Sequence, residues 1–204
     1  AANIGVVMAQ SGRRVVLVDA DMRRPRVHKL LKIPNRKGMS SLFVSSKVEL
    51  DGSLQKTMSE NFLAIPAGDV PPNPAELLGS ERMFDILMEI GKKADLIVID
   101  SPPVIAVTDS AVLAHRVDGV LLVIKPGATK MEAARQAVEQ LQRAGANILG
   151  VVLNEVDFGR SRYSYYHYKG YYYSYHYYYD ESGKRVKLRS KKKQTEEDQT
   201  VTVH

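Results

Sequence analysis

The sequence predicts an α/β protein, a doubly wound, mostly parallel sheet flanked by helices, followed by a disordered C-terminal tail. Three observations predict it. Up to about Asp157, short and near-continuous apolar runs alternate with helical patterns, as strands buried on both faces by helices do. After Asp157 no amphipathic period remains. All eleven tyrosines of the chain lie between Tyr163 and Tyr179, and none in the 162 residues before them.

The strands follow in order. "VVLVD" (15–19), "FLAIP" (62–66), "LIVID" (96–100), "GVLLVIK" (119–125) and "NILGVVLN" (147–154) are rich in β-branched residues and bounded by polar or turn residues. Between them, "SERMFDILMEIGKKA" sets Met83, Leu87 and Ile90 at helical spacing. "TKMEAARQAVEQLQRAG" reads as a helix with a capping box of Thr129 and Glu132, a stop at Gly145, and an apolar stripe of Met131, Ala134, Val138 and Leu141. The expected organisation is a folded domain over 1–157 and a flexible tail over 158–204. The tail holds the tyrosine cluster 163–179 and a basic stretch 183–193, "GKRVKLRSKKK". An edge hairpin about Lys169-Gly170 is the alternative for the tyrosines.

Composition narrows the function. No cysteine is present, so disulfide and thiolate chemistry are excluded, and the five histidines show no metal-ligand spacing. No apolar run approaches the ~20 residues of a membrane span. The net charge of +6 is uneven: residues 160–193 hold ten Lys or Arg against Asp180 and Glu181, while the last eleven residues carry Glu196, Glu197 and Asp198. The folded part is then left at about +1, which argues against a basic nucleic-acid face on it.

Acidic residues end two of the strands: Asp19 and Asp21 in "VVLVDADMRRP", Asp100 in "LIVIDSPP". The carboxyl edge of a parallel sheet is where such proteins place their chemistry. A buried hydrophobic strand ending in Asp can present a carboxylate to a phosphate-bound Mg²⁺. The blander readings are turn capping for Asp19 and Asp100 and a salt bridge to Arg23 or Arg24 for Asp21. Arg23, Arg24 and Arg26 are open to phosphate, a neighbouring subunit or solvent, and Pro102-Pro103 to simple stiffening of the strand exit.

These stretches resemble the motifs of the bacterial tyrosine kinases of capsule and exopolysaccharide export, an offshoot of the MinD/ParA-like P-loop ATPases. "VVLVDADMRRP" is similar to their Walker A′ motif, "LIVIDSPPV" to Walker B, "IPAGDVPPNPAELLGSERM" and "TDSAVLAHRVDGVLLVIKPGAT" to two further family segments, and "GVVLNEVD" to the last strand. One departure stands out. No Gly-Lys-Ser/Thr phosphate loop occurs in the sequence, and "AANIGVVMAQSG" resembles the helix that follows that loop. The expectation is therefore a P-loop NTPase-like domain read from just after its first strand and phosphate loop, and inactive alone.

The resemblance implies ATP and Mg²⁺ as cofactors, with Asp19 and Asp100 as metal-side carboxylates and Asp21 placed to orient or deprotonate the incoming tyrosine. Asn154 follows the last strand, where relatives contact the nucleotide base. The tyrosine run matches the family's autophosphorylation segment, which makes Tyr163, Tyr165, Tyr166, Tyr168, Tyr171, Tyr172, Tyr173, Tyr175, Tyr177, Tyr178 and Tyr179 candidate acceptors. Implied partners are other copies in a ring that phosphorylate one another in trans, a membrane-embedded adaptor (separate or fused upstream) and a cognate tyrosine phosphatase, but no nucleic acid. The implied location is cytoplasmic, at the inner face of the plasma membrane. The rivals are a MinD/ParA-type positioning ATPase, a self-associating aromatic segment, and an aromatic-basic tail that stacks RNA bases using Arg160, Arg162 and Lys169.

Overall fold

Hydrophobic alternation across three parallel strands decides the architecture. A computed structural model describes residues 1–45 and 47–156, with strand assignments at 177–179 and 185–187. Strands β1 (Val15–Asp19), β2 (Gln55–Lys56), β3 (Phe62–Ile65) and β4 (Leu96–Asp100) form one sheet in the order β2-β3-β1-β4. β1 runs parallel to both β3 and β4, and β2 is an antiparallel edge.

Side chains of these strands divide by parity. Val15, Leu17, Phe62, Ala64, Leu96 and Val98 face helix α1 (Ala2–Gln10), which buries Ala2 and Ala9 against them. Val16, Val18, Ile65, Ile97 and Ile99 face the opposite layer. There they meet Met39 and Leu42 of α3 (Met39–Val44), Leu78 of α4 (Pro74–Gly79), and Met83, Ile86 and Ile90 of α5 (Glu81–Gly91). The sheet is thus wound on both faces. Of the stripe expected on α5, Met83 and Ile90 are fully buried and Leu87 packs at the margin, with Ile86 as a further buried member.

The short helices α2 (Val27–Leu31) and α6 (Asp109–Ala114) follow β1 and β4. A second, two-stranded parallel sheet holds β5 (Val120–Ile124) and β6 (Ile148–Leu153). Helix α7 (Met131–Arg143) covers it through Ala137 and Leu141, which join Val104, Ala114 and Leu122 in a third cluster. The parallel strands are therefore split between two sheets. Among the described residues β4 pairs only with β1, and its five residues are half-buried where all five of β1 are buried.

Two expectations for α7 need correction. Lys130 is its N-cap and no side chain caps it. Thr129 instead accepts the Lys125 N–H at 3.1 Å, closing the preceding turn. Met131 is 71% exposed, so the buried stripe runs through Ala137 and Leu141. Gly145 does stop the helix, with φ +74.

The chain forms two compact units, Ala1–Asn154 and Glu155–His204. In the second, β7 (Tyr177–Tyr179) pairs antiparallel with β8 (Arg185–Lys187). The expected flexible tail and the hairpin about Lys169-Gly170 otherwise fall outside the described residues.

Gly38 locks the loop after β3 in place. Met39 N–H donates to Pro66 O at 2.8 Å and Ser40 N–H to Ala67 O at 2.9 Å. Asn35 brackets Gly68 with two hydrogen bonds, at 2.9 and 3.1 Å. A Cβ on Gly38 would lie 2.1 Å from Pro66 O and 2.5 Å from Gly68 N. These are backbone atoms that cannot swing aside. Gly38→Ala is expected to cost about 2–3 kcal/mol, a fall in Tm on the order of 5–10 °C. Gly91→Ala, where a Cβ meets nothing within 4 Å, should leave the melt unchanged or slightly raised.

Candidate active site

Arg14 and Asp95 set the register that builds the site. The Arg14 guanidinium grips Asp95 Oδ1 at 2.6 and 3.1 Å, and the Arg14 N–H donates to Asp95 Oδ2 at 2.9 Å. This partner holds the Asp95 carboxyl down at about 2. The clamp fixes the starts of β1 and β4, so Val15 lies opposite Leu96 and, four residues on, Asp19 opposite Asp100. By strand parity both carboxylates share the face that α1 covers.

Asp19 is fully buried and has no cation partner among the described residues. Its Oδ1 accepts the Asp21 N–H at 3.2 Å and its Oδ2 the Val27 N–H at 3.1 Å. Burial pushes its carboxyl up to about 6; the two amide bonds oppose this, and the charges of Asp100 and Asp21 add to it. Asp100 is raised too, chiefly by burial, with Asp21 adding to the rise. Asp19, Asp21 and Asp100 are therefore brought close enough for their charges to act on one another. Asp19 also does what the bland reading proposed, capping the turn that leads into α2.

The sign of the pH effect follows. A carboxyl raised on folding stabilises the fold while protonated, fully below its ordinary 3.8, and loses that contribution as pH rises through about 6. The Tm of the parent minus that of Asp19→Asn, which cannot titrate, should fall between pH 4.5 and pH 7.5. A difference independent of pH would show that Asp19 is not raised.

Asp21 does not form the salt bridge to Arg23 or Arg24 that is its blander reading. Its Oδ1 accepts the N–H of Arg24 at 3.0 Å and of Arg23 at 3.3 Å, and no side-chain cation among the described residues pairs with it. The Arg23 guanidinium instead reaches Asp109, binding both carboxylate oxygens at 2.9 Å. Asp109 is fully buried in the first turn of α6. Sequence reading missed it, because an acidic residue at a helix start reads as a surface cap. Ser110, next to it, donates to Pro102 O and lies 3.2 Å from Ser101 Oγ, which pins the exit of β4.

Asn154 lies at the end of β6 in the second sheet, exposed, its N–H on Ile124 O at 2.9 Å. Nothing described joins it to the three carboxylates. The candidate acceptor side chains lie outside the described residues.

Among the described residues no group of three or more His, Asp or Glu is arranged to hold a metal. Asp19, buried, and Asp100, half-buried, nonetheless form an anionic pair with no ion-pair partner among the described residues. That fits Mg²⁺, which binds through one or two carboxylates and takes the rest of its shell from phosphate and water.

Residues 1–149 match the AAA domain family. The tyrosine-protein kinase YwqD of Bacillus subtilis (strain 168) is 36% identical over 167 residues, 81% of this chain and 70% of that protein. The kinase domain of the Escherichia coli tyrosine kinase ETK superposes with a TM-score of 0.72 at 35% identity, over 78% of this chain and 62% of that one. The septum site-determining protein MinD of Pyrococcus horikoshii, solved with Mg-ADP, superposes at 0.62 with 24% identity, over 79% of this chain and 65% of that one, a likeness of fold alone.

Proposed function

The chain belongs to the bacterial tyrosine-protein kinases that carry an AAA domain, and from that premise we propose that it serves an ATP- and Mg²⁺-dependent kinase whose acceptor is its own tyrosine run, phosphorylated in trans between copies. The observation that carries this reading is the register of β1 and β4. It sets the buried carboxylate of Asp19 beside the half-buried one of Asp100, with a third, Asp21, anchored through one oxygen by backbone amides alone.

Each residue then has a task. Asp19 and Asp100 would hold Mg²⁺, which when bound neutralises charge on the phosphates. The first turn of α1 leaves backbone N–H groups of the kind that bind phosphate. The free oxygen of Asp21 takes the phenolic proton of the incoming tyrosine. Arg23, held on Asp109, keeps the 19–24 turn in register with the exit of β4.

The tyrosines support the acceptor reading by their placement. A chain that builds its core without tyrosine and gathers eleven within 163–179 keeps them available to an active site. By the same family reading, the protein works at the inner face of the membrane with an adaptor and a phosphatase, and regulates polysaccharide export. No described helix is long and apolar enough to cross a membrane. The test is phosphotyrosine mapping of the chain, preceded by a Gly-Lys-Thr phosphate loop, after incubation with Mg²⁺-ATP. Label within Tyr163–Tyr179 is expected; its absence there retires the acceptor reading in favour of a positioning ATPase or an RNA-binding tail.

A further inference from the structure

Asp21 lies in the loop that leaves β1, and Asp100 ends β4 where its own exit loop begins. Backbone pairing joins the two strands as far as the bond from the Ala20 N–H to Asp100 O, 2.8 Å. Beyond it, among the described residues, the hydrogen bonds that tie one loop to the other pass through the first turn of α6. Asp109 takes the Arg23 guanidinium on both oxygens at 2.9 Å and so holds the first loop. Its neighbour Ser110 donates to Pro102 O, lies 3.2 Å from Ser101 Oγ, and so holds the second. Both are buried.

The helix that carries them is itself fixed. Leu113 belongs to the core cluster that α5 shares with the main sheet, and Ala114 to the cluster that α7 shares with the second sheet. Just past its end, Arg116 donates to Gly79 O at 2.6 Å, at the close of α4. The first loop is also anchored from within, by fully buried Met22 and by the bonds of the Asp21 and Val27 N–H groups to Asp19.

We propose that the first turn of α6 is a positioning bracket: Asp109, through Arg23, and Ser110, through the exit of β4, set where the proton acceptor Asp21 stands relative to the metal-side Asp100. The inference rests on the kinase reading above and adds two positioning residues to it. An acid at a helix start ordinarily serves the helix from the surface, whereas Asp109 is fully buried and gives both oxygens to Arg23. Stability is a poor reason for such a pair, because desolvation offsets most of what a buried ion pair gains. A two-pronged guanidinium–carboxylate contact supplies instead a fixed distance and orientation. Phosphoryl transfer depends on both, since a displacement of ~1 Å between groups can slow a reaction on the order of a hundredfold.

The test measures kcat, KM for ATP and for a tyrosine peptide, and Tm, in the chain preceded by a Gly-Lys-Thr phosphate loop. Asp109→Asn, which leaves a carbonyl for Arg23, is expected to lower kcat at least about tenfold with both KM values held within about threefold. Arg23→Lys keeps Asp109 paired but loses the fork, so Tm should stay near that of the parent while kcat falls about tenfold. Arg23→Gln leaves a buried acid unpaired and should melt earliest. Adding Asp109→Asn to it should restore part of the Tm and lose no further rate, because the bracket is already open. Ser110→Ala should lose about threefold in kcat. Lys29→Gln, an exposed charge on α2, is the control and should stay within about twofold.

Rates that simply follow Tm across the set would make the pair structural and overturn the proposal, as would Arg23→Lys at the parental rate. Additive rate losses for Arg23→Gln and Asp109→Asn overturn it too, since the two would not be acting as one contact. Should Asp109→Asn melt too early to assay, Arg23→Lys and Ser110→Ala decide the matter. Variants as active as the parent sink the bracket and leave the kinase reading intact. A parent chain that makes no phosphotyrosine sinks the kinase reading, and the bracket with it.

Discussion

Asp21→Asn, in the chain preceded by a Gly-Lys-Thr phosphate loop, is expected to slow tyrosine phosphorylation at least about a hundredfold, with KM for the peptide little changed. A phenol of pKa ~10 keeps its proton at neutral pH, so the attack on the γ-phosphoryl group is helped by an acceptor that arrives already ionised. Asn keeps the carbonyl that accepts from Arg23 and Arg24, so the turn survives while the proton acceptor is lost. Asp100→Asn should fall as far for a different reason, the loss of a metal-side charge, and its loss should be partly relieved by raising Mg²⁺, as that of Asp21→Asn should not. Glu132→Gln, exposed in the first turn of α7, serves as the control and should stay within twofold. Initial rates compared at matched melting temperature decide the matter. An Asp21→Asn rate within a few-fold of the parent removes Asp21 from the chemistry.

What could be read from sequence was whatever local patterning controls. β1 and β4 have the bounds that their apolar runs announced, 15–19 and 96–100, because a strand buried between helix layers leaves no polar residue inside the run. Their terminal carboxylates were legible for the same reason. The pairing of Arg23 with Asp109, 86 residues away, was not, because nothing local separates a buried acid from a surface cap. Thr129 illustrates a competition that patterning cannot settle. Its hydroxyl suits either the helix N-terminus or the turn before it, and the turn of Lys125 wins. The division of the parallel strands into two sheets was also invisible, since the apolar runs of β4 and β5 say that each is a strand but not what lies at its edge.

A polypeptide of these 204 residues alone is expected to transfer phosphate at near background and yet to be a good substrate. Its sequence holds Gly91-Lys92 and Gly183-Lys184 but no Gly-Lys-Ser/Thr. The amides and lysine of such a loop cradle the β- and γ-phosphates, and positioning with electrostatic stabilisation is most of phosphoryl-transfer catalysis. The acceptor run is present in full. Mixing the polypeptide with an active kinase of the same family, ATP and Mg²⁺, then mapping phosphotyrosine by peptide, separates the two properties. Label is expected only in the mixture, confined to Tyr163–Tyr179 and at several sites per chain. Comparable labelling by the polypeptide alone would mean that the α1 start and the three carboxylates suffice to hold ATP. Label missing from the run in the mixture would mean that the tyrosines are gathered for some purpose other than accepting phosphate.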